Sequence, residues 1–328
     1  DITSYNVTSN NRFKENLEYL LEYVYTPYFT KELFQSEKGV IEEEVKMYKD
    51  DPGMTIVNGT LNNVFVNDER KYLVGGTVKD VKSIKLEDVI TCYNAYYNPK
   101  NMFLIITGNF NPNEALAITS EQMNKLNINN DFNVKDIYPK EPEKVNKKEE
   151  IIKMNADKPK VSIGIKLPKN NFKSLKVDNY LLKIYISSIL DINFGNTSLL
   201  LEELQKGSIV DDLDYTVIES NDYFIVLILS STYYPEYFKD KVIEKFNSLN
   251  IEDSDLKRVA KVNISNYILL FDSVVAVNNY IMDEVMDNNE VNTGFMNIMR
   301  NLNIDTCKKI LTKLNNYDYT ICKIMPKE

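Results

Sequence analysis

Residues 29–52 read FTKELFQSEKGVIEEEVKMYKDDP, and the spacing within this stretch predicts a helix with a two-carboxylate face. Thr30 is placed to cap the helix and Glu32 to favour its first turn, while Asp50, Asp51, Pro52 and Gly53 stop it beyond Tyr48. Glu37 and Glu44 stand seven residues apart, close to two helical turns, so both carboxylates project from one face. Ile41 and Tyr48 share that face, which predicts partial burial. A carboxylate in such a place needs a metal, a cation or hydrogen-bond donors, because a buried unpaired charge is costly. Glu42 and Glu43 point elsewhere, into solvent. Spacing alone leaves two readings open for Glu37 and Glu44: a solvated acidic face or a metal-binding one.

Outward from this helix the pattern alternates between helices and strands. Phe13, Leu17, Leu20, Leu21 and Val24 recur at helical spacing, predicting an amphipathic helix over 12–24 ended at Pro27. A further helix is expected from Leu86 to just before Asn98-Pro99, then a buried strand over 102–107. Residues 138–150, YPKEPEKVNKKEE, carry two prolines, dense charge and almost nothing apolar, and read as a linker. Beyond them, 161–167 alternates like a strand, and helices are expected at 177–190 and 197–206. Residues 214–219 and 223–231 form an antiparallel pair turned at Ser220-Asn221-Asp222. Helical patterns cover 235–249 and 253–287, and a helix at 304–314 precedes a strand at 319–324. The segment SIKLEDVITCYNAYYNPKNMFLIITG and the C-terminal NLNIDTCKKILTKLNNYDYTICKIMP share a helix start and a closing strand, which suggests duplication of one α+β unit.

Composition excludes several function classes. A net charge of −9, with basic residues scattered among acidic ones, argues against nucleic acid. No apolar run approaches the length needed to span a membrane. Cys92, Cys307 and Cys322 are widely spaced and odd in number, which suits reduced thiols and a cytoplasmic setting. The Asn-x-Ser/Thr triplets at Asn6, Asn58, Asn196 and Asn263 then carry no glycan. There is no histidine at all among 328 residues. That removes the common zinc hydrolases and the Ser or Cys hydrolases that use an imidazole base. No phosphate-binding glycine motif is present, and Asp191-x-Asn193-x-Gly195-x-Thr197 fits a helix start capped at Asn196 or Thr197 better than a calcium loop.

The stretch from Phe29 to Pro52, with GGTVKDVKSI at 75–84 and YYNPKNMFLIITGNF at 96–110, resembles the insulinase/pitrilysin family of zinc metallopeptidases, and PYFT at 27–30, EVKMY at 44–48 and CKIMPK at 322–327 resemble its YmfH-like bacterial branch. These are inverted zincins whose site uses H-x-x-E-H on one helix and a distant Glu on another. The resemblance places Glu44 as the third zinc ligand and Glu37 as the acidic residue supporting the catalytic site. It implies an α+β fold of the LuxS/pitrilysin type, with two related domains, each an antiparallel sheet covered by helices. The expected division is 1–137 for an N-terminal domain truncated at its start, 138–150 for the linker and 151–328 for the C-terminal domain.

The same resemblance implies a subunit of a zinc-dependent endopeptidase acting on peptides, paired with a second family subunit or with its own copy. Its H-x-x-E-H would fall before Asp1, because family members carry it more than the available 43 residues ahead of this Glu. Zinc is therefore expected in a full-length parent and not in these residues alone. A naturally non-catalytic subunit that binds peptides or supports an active partner is the alternative, and Asp68-Glu69, where relatives often show His-Pro, leans toward it. An Arg and a Tyr that grip substrate in many partner subunits are replaced here by Gln205 and Asp212.

Overall fold

The computed structural model describes residues 2–128, 134–135 and 137–327. Its helices and strands follow in this order. First come α1 (Phe13–Tyr25), α2 (Lys31–Asp50), α3 (Pro52–Val64), α4 (Val78–Ser83), α5 (Leu86–Tyr96) and α6 (Pro112–Leu126). Next are β1 (Glu149–Met154), β2 (Lys160–Pro168), α7 (Asn179–Phe194), α8 (Leu199–Lys206), β3 (Asp214–Glu219) and β4 (Tyr223–Ser231). The chain closes with α9 (Pro235–Asn247), α10 (Asp253–Leu270), α11 (Val274–Asn288), α12 (Phe295–Arg300), α13 (Ile304–Leu311) and β5 (Asp318–Pro326). None of these helices is by itself long and apolar enough to cross a membrane.

The residues group into two compact units: Asp1–Glu42, Lys79–Ile137 and Ile268–Asn292 form the first, and Glu43–Val78, Tyr138–Tyr267 and Thr293–Glu328 the second. The second unit holds one five-stranded sheet in the order β1-β5-β2-β4-β3. All its pairs are antiparallel except β1 with β5. Strand β2 explains its construction. Val161, Ile163, Ile165 and Leu167 point to one face, into a core built with α7, α8, α9 and α13 through Ile186, Leu204, Phe238 and Ile310. Burial of each such side chain contributes about 1.5–3 kcal/mol. The alternate residues Ser162, Gly164 and Lys166 are also buried, because α3 covers that face through Ile56, Thr60 and Val64. An alternating strand usually has a wet side; here the small side is where a helix docks.

In the first unit, α1 packs on α6 through Leu17, Leu21 and Ile118. The α+β class expected from the sequence is the one adopted, with one sheet. The strand expected at 102–107 carries no strand pairing, and Phe103 and Leu104 remain 47% and 40% exposed. A strand is held by its neighbour's ladder, and the first unit offers no second strand among its described residues. The segment at 83–108 thus matches 301–326 in its helix but not in its strand.

Three further differences have local causes. Helix α3, absent from the sequence reading, starts where Asp51 accepts a hydrogen bond from the Met54 N–H at 2.8 Å with Pro52 in the first turn. The expected single helix over 253–287 breaks at 271–273, where Ser273 caps α11 through the Ala276 N–H. The cap of α8 is Ser198, through the Leu201 N–H, rather than Asn196 or Thr197. Within the stretch read as a linker, Glu141 and Val145 are buried and Glu149 and Glu150 already belong to β1.

Candidate functional site

Helix α2 begins as expected, with the Thr30 hydroxyl accepting from the Leu33 N–H at 3.2 Å. Its packed seam is formed by Phe34, Lys38, Ile41 and Val45, of which Val45 is buried and the others half-buried. Lys38 donates to the Lys82 and Ile84 carbonyls at 2.8 and 2.7 Å, and Glu42 pairs with Lys82 at 3.6 Å. An exposed apolar arc lies on another side, where Leu33, Val40 and Met47 are 51%, 58% and 62% accessible. Glu37 and Glu44 sit between seam and arc. Both are exposed, which corrects the expectation of a partly buried carboxylate face. The packed seam is rotated by roughly 60° from the expected face, centred nearer Val45 than Ile41, so the glutamates fall at its edge.

The two carboxylates differ in their surroundings. One oxygen of Glu44 accepts a hydrogen bond from the Tyr48 hydroxyl at 2.6 Å, one helical turn on. That bond, with the nearby carboxylate charge, holds the Tyr48 phenol above its ordinary pKa. Glu37 has no hydrogen bond or ion pair with any described residue. Both lie in water and so escape the desolvation cost of a buried carboxylate.

Zinc in a peptidase needs three protein ligands with an open fourth position, and imidazole nitrogens are the usual majority. Among the described residues no three His, Cys, Asp or Glu side chains converge as a metal group. Glu44 can offer a single carboxylate with one oxygen already engaged, and the sequence has no histidine to join it. The residues present do not fit zinc by themselves, and no catalytic step follows from them.

The remaining sequence candidates are accounted for locally. Gln205 spends its amide on the Asp211 carbonyl at 2.8 Å, and Asp212 is exposed beside β3. Asp68 accepts from the Arg70 N–H at 3.0 Å and starts a short 3-10 turn. Asp191 is held by the Tyr215 hydroxyl and by the Asn263 amide, and Asn193 is buried against the Ile189 and Asn250 carbonyls, so neither is free for calcium. A cleft of about 360 Å³ beside Asp50 and Pro52 is walled by Asp157, Lys158 and Lys160, without the apolar lining of an ordinary ligand pocket. The feature that sequence reading missed is a buried ion pair: Lys166 and Glu141 meet at 2.6 Å in the second unit, with side chains 0% and 3% exposed. A lysine inside the apolar alternation of β2 was its one visible sign.

Comparison with known proteins agrees with this architecture. Residues 83–249 match the family model described as the peptidase M16 inactive domain. Over 337 aligned residues the chain is 27% identical to the zinc protease YmfH of Bacillus subtilis, covering 99% of this chain and 76% of that protein. Among solved structures, an M16-like peptidase from Alicyclobacillus acidocaldarius superposes with a TM-score of 0.83 at 18% identity, covering 97% of this chain and 76% of that one. A protease from Helicobacter pylori gives 0.81 at 17% identity, covering 95% and 76%.

Proposed function

The chain belongs to the peptidase M16 family, and from that premise we propose that it is a subunit of a zinc-dependent endopeptidase acting on peptides, silent in hydrolysis on its own residues. What supports this reading is Glu44, which the sequence resemblance puts at the ligand place of an inverted-zincin helix and which is exposed and hydrogen-bonded by Tyr48, in a chain without a histidine. Zinc, when bound in such enzymes, activates water at a peptide carbonyl. This chain's part would be to present Glu44, with Glu37 one site away, to imidazoles supplied from outside the 328 residues. A second family subunit, or a second copy, would complete the chamber, and the three unpaired cysteines suit a cytoplasmic location.

A second reading, a non-catalytic subunit that binds peptide, is favoured by the match to a domain described as inactive. One experiment separates them. An unstructured quenched-fluorescent peptide is incubated with the chain and zinc, with and without a separate polypeptide bearing an H-x-x-E-H helix. Cleavage that appears only with the added helix and is abolished by Glu44→Gln is the expected result. Peptide binding with no cleavage in either arm favours the non-catalytic subunit, and zinc-dependent cleavage by the chain alone overturns both.

A further inference from the structure

The last turn of α3 leaves its final carbonyls without helical partners, as every helix does. Here the first is met by the capping residue of the helix itself and the other three from elsewhere in the second unit. The Leu61 carbonyl takes the Phe65 N–H at 3.0 Å, and the Asn62 carbonyl takes the Asn146 amide at 3.1 Å. The Asn63 carbonyl takes the Lys147 N–H at 3.0 Å, and the Val64 carbonyl takes the Lys166 ammonium at 3.1 Å. Just past the helix, three successive N–H groups, of Val66, Asn67 and Asp68, converge on the Glu141 carboxylate at 2.8, 2.7 and 2.9 Å. Such a cluster of backbone donors is an anion cradle, and Glu141 fills it.

Lys166 closes the arrangement. Its ammonium reaches Glu141 at 2.6 Å, the Val64 carbonyl and the Lys144 carbonyl, and lies 4.8 Å from the centre of the Tyr223 ring. The cation sits where the α3 dipole favours it. Further along, the Val145 N–H donates to Asp318 at 3.0 Å, Lys148 pairs with the same carboxylate, and the Tyr223 hydroxyl donates to the Glu141 carbonyl at 3.0 Å.

We infer that residues 140–148 are a latch: a strap that caps α3 from outside and is locked by the buried Lys166–Glu141 pair, so that strap, α3 terminus and the 65–68 turn open as one unit. The strap, KEPEKVNKK, is highly charged and is held chiefly by fixed donors and acceptors, Val145 being its one buried apolar side chain. Removing either charge leaves the other buried without its partner, which costs more than the pair itself contributes. Because Asp51 and Pro52 join α3 directly to α2, the latch also fixes the end of the helix on which Glu44 and Tyr48 stand. The inference does not depend on the proposed function.

Amide hydrogen exchange on the whole chain tests it. In the wild type, the Val66, Asn67, Asp68, Val145 and Lys147 amides should exchange as slowly as the last turn of α3. In Lys166→Met the five amides and that turn should speed up together by about tenfold or more, with β4 unchanged, as expected for one cooperative local opening. Wild-type exchange of the five at the rate of an open loop overturns the latch, as does a Lys166→Met response confined to the strap. If that variant loses protection everywhere, the double variant Lys166→Met/Glu141→Leu, which buries no lone charge, decides. Its β4 amides should stay protected while Val66, Asn67 and Asp68, robbed of their acceptor, exchange fast; wild-type protection at those three overturns the latch.

Discussion

Replacing Gly164 by alanine should destabilise the second unit, and the structure sets both sign and size. A Cβ there would lie 2.7 Å from a Val64 methyl, 2.8 Å from the Thr60 methyl and 3.1 Å from the Thr320 methyl. All three belong to β-branched side chains, which are stiff at χ1, and Val64, Thr60 and Thr320 are fully buried. None can swing aside, so α3 must lift from β2. Overpacking of this kind costs about 1–3 kcal/mol. With a urea dependence of about 2–3 kcal/mol per molar, the midpoint of the second unit should fall by about 0.5–1 M. Gly39 is the control. It lies in α2 with nothing within 4 Å of its would-be Cβ, so Gly39→Ala should instead stabilise by about 0.5–1 kcal/mol through helix propensity. Gly59 is intermediate: its Cβ would meet the Cys322 sulfur at 2.8 Å and an Ile152 methyl at 3.3 Å, so the clash and the propensity gain of about 1 kcal/mol oppose each other. The assay is urea denaturation followed by far-ultraviolet circular dichroism. A Gly164→Ala midpoint equal to or above the wild type would refute the claim that α3 rests against bare backbone.

Other outcomes follow from single contacts. Asp51→Ala removes the side-chain cap of α3 and should cost about 1 kcal/mol, read as a lower urea midpoint that Asp51→Asn largely restores. Titration calorimetry should find no stoichiometric zinc binding of sub-micromolar affinity, and Glu44→Gln should leave the heat unchanged, since a lone carboxylate is a poor zinc site. Acid should open the strap before the sheet. Burial alone would raise the Glu141 and Asp318 carboxyls, but Lys166 and three N–H groups for one, and Lys148 with two N–H groups for the other, hold both below their ordinary values. Their contribution is therefore complete above the ordinary carboxylate range and lost as pH falls through the lowered folded values. Trypsin is inactive there, so pepsin cleavage within 138–150 is the readout, and first cuts in β2 or β4 would contradict it.

The sequence disclosed what is local and concealed what is assembled. The 214–219 and 223–231 hairpin was legible because its alternation and its Ser220-Asn221-Asp222 turn need nothing beyond neighbouring residues. Helix α1 was legible from Leu17 and Leu21, whose spacing is set by its own turn. Helix α3 is hard to see locally because Asp51-Pro52 serves both as a stop for α2 and as a start for α3, an N-cap followed by Pro in the first turn. Residues 138–150 show the deeper limit. Charge and proline describe a segment that cannot bury apolar surface, and such segments are usually loose. Here the charges are satisfied by groups far away in the chain, Lys166, Asp318 and the 66–68 amides, none of which any local window contains.

The candidate site divides in the same way. Glu37 and Glu44 were found because seven residues make nearly two turns, and that much is fixed by the helix alone. Which side of α2 is packed depends on where Val45 meets its surroundings and where Lys38 finds the Lys82 and Ile84 carbonyls. Those contacts turn the seam away from the glutamates and leave them beside Leu33, Val40 and Met47 in water. An acidic pair on an exposed helix edge costs nothing to maintain and so says nothing by its presence. On the proposed reading, the contact that would orient the Glu44 carboxylate is its phenol partner at 2.6 Å. Tyr48→Phe is thus the substitution that separates a surface carboxylate from a presented one: it should leave stability within about 0.5 kcal/mol of the wild type while weakening whatever the added H-x-x-E-H helix gains from Glu44. Equal cleavage by the complemented wild type and Tyr48→Phe would mean that the hydrogen bond has no part in presenting the carboxylate.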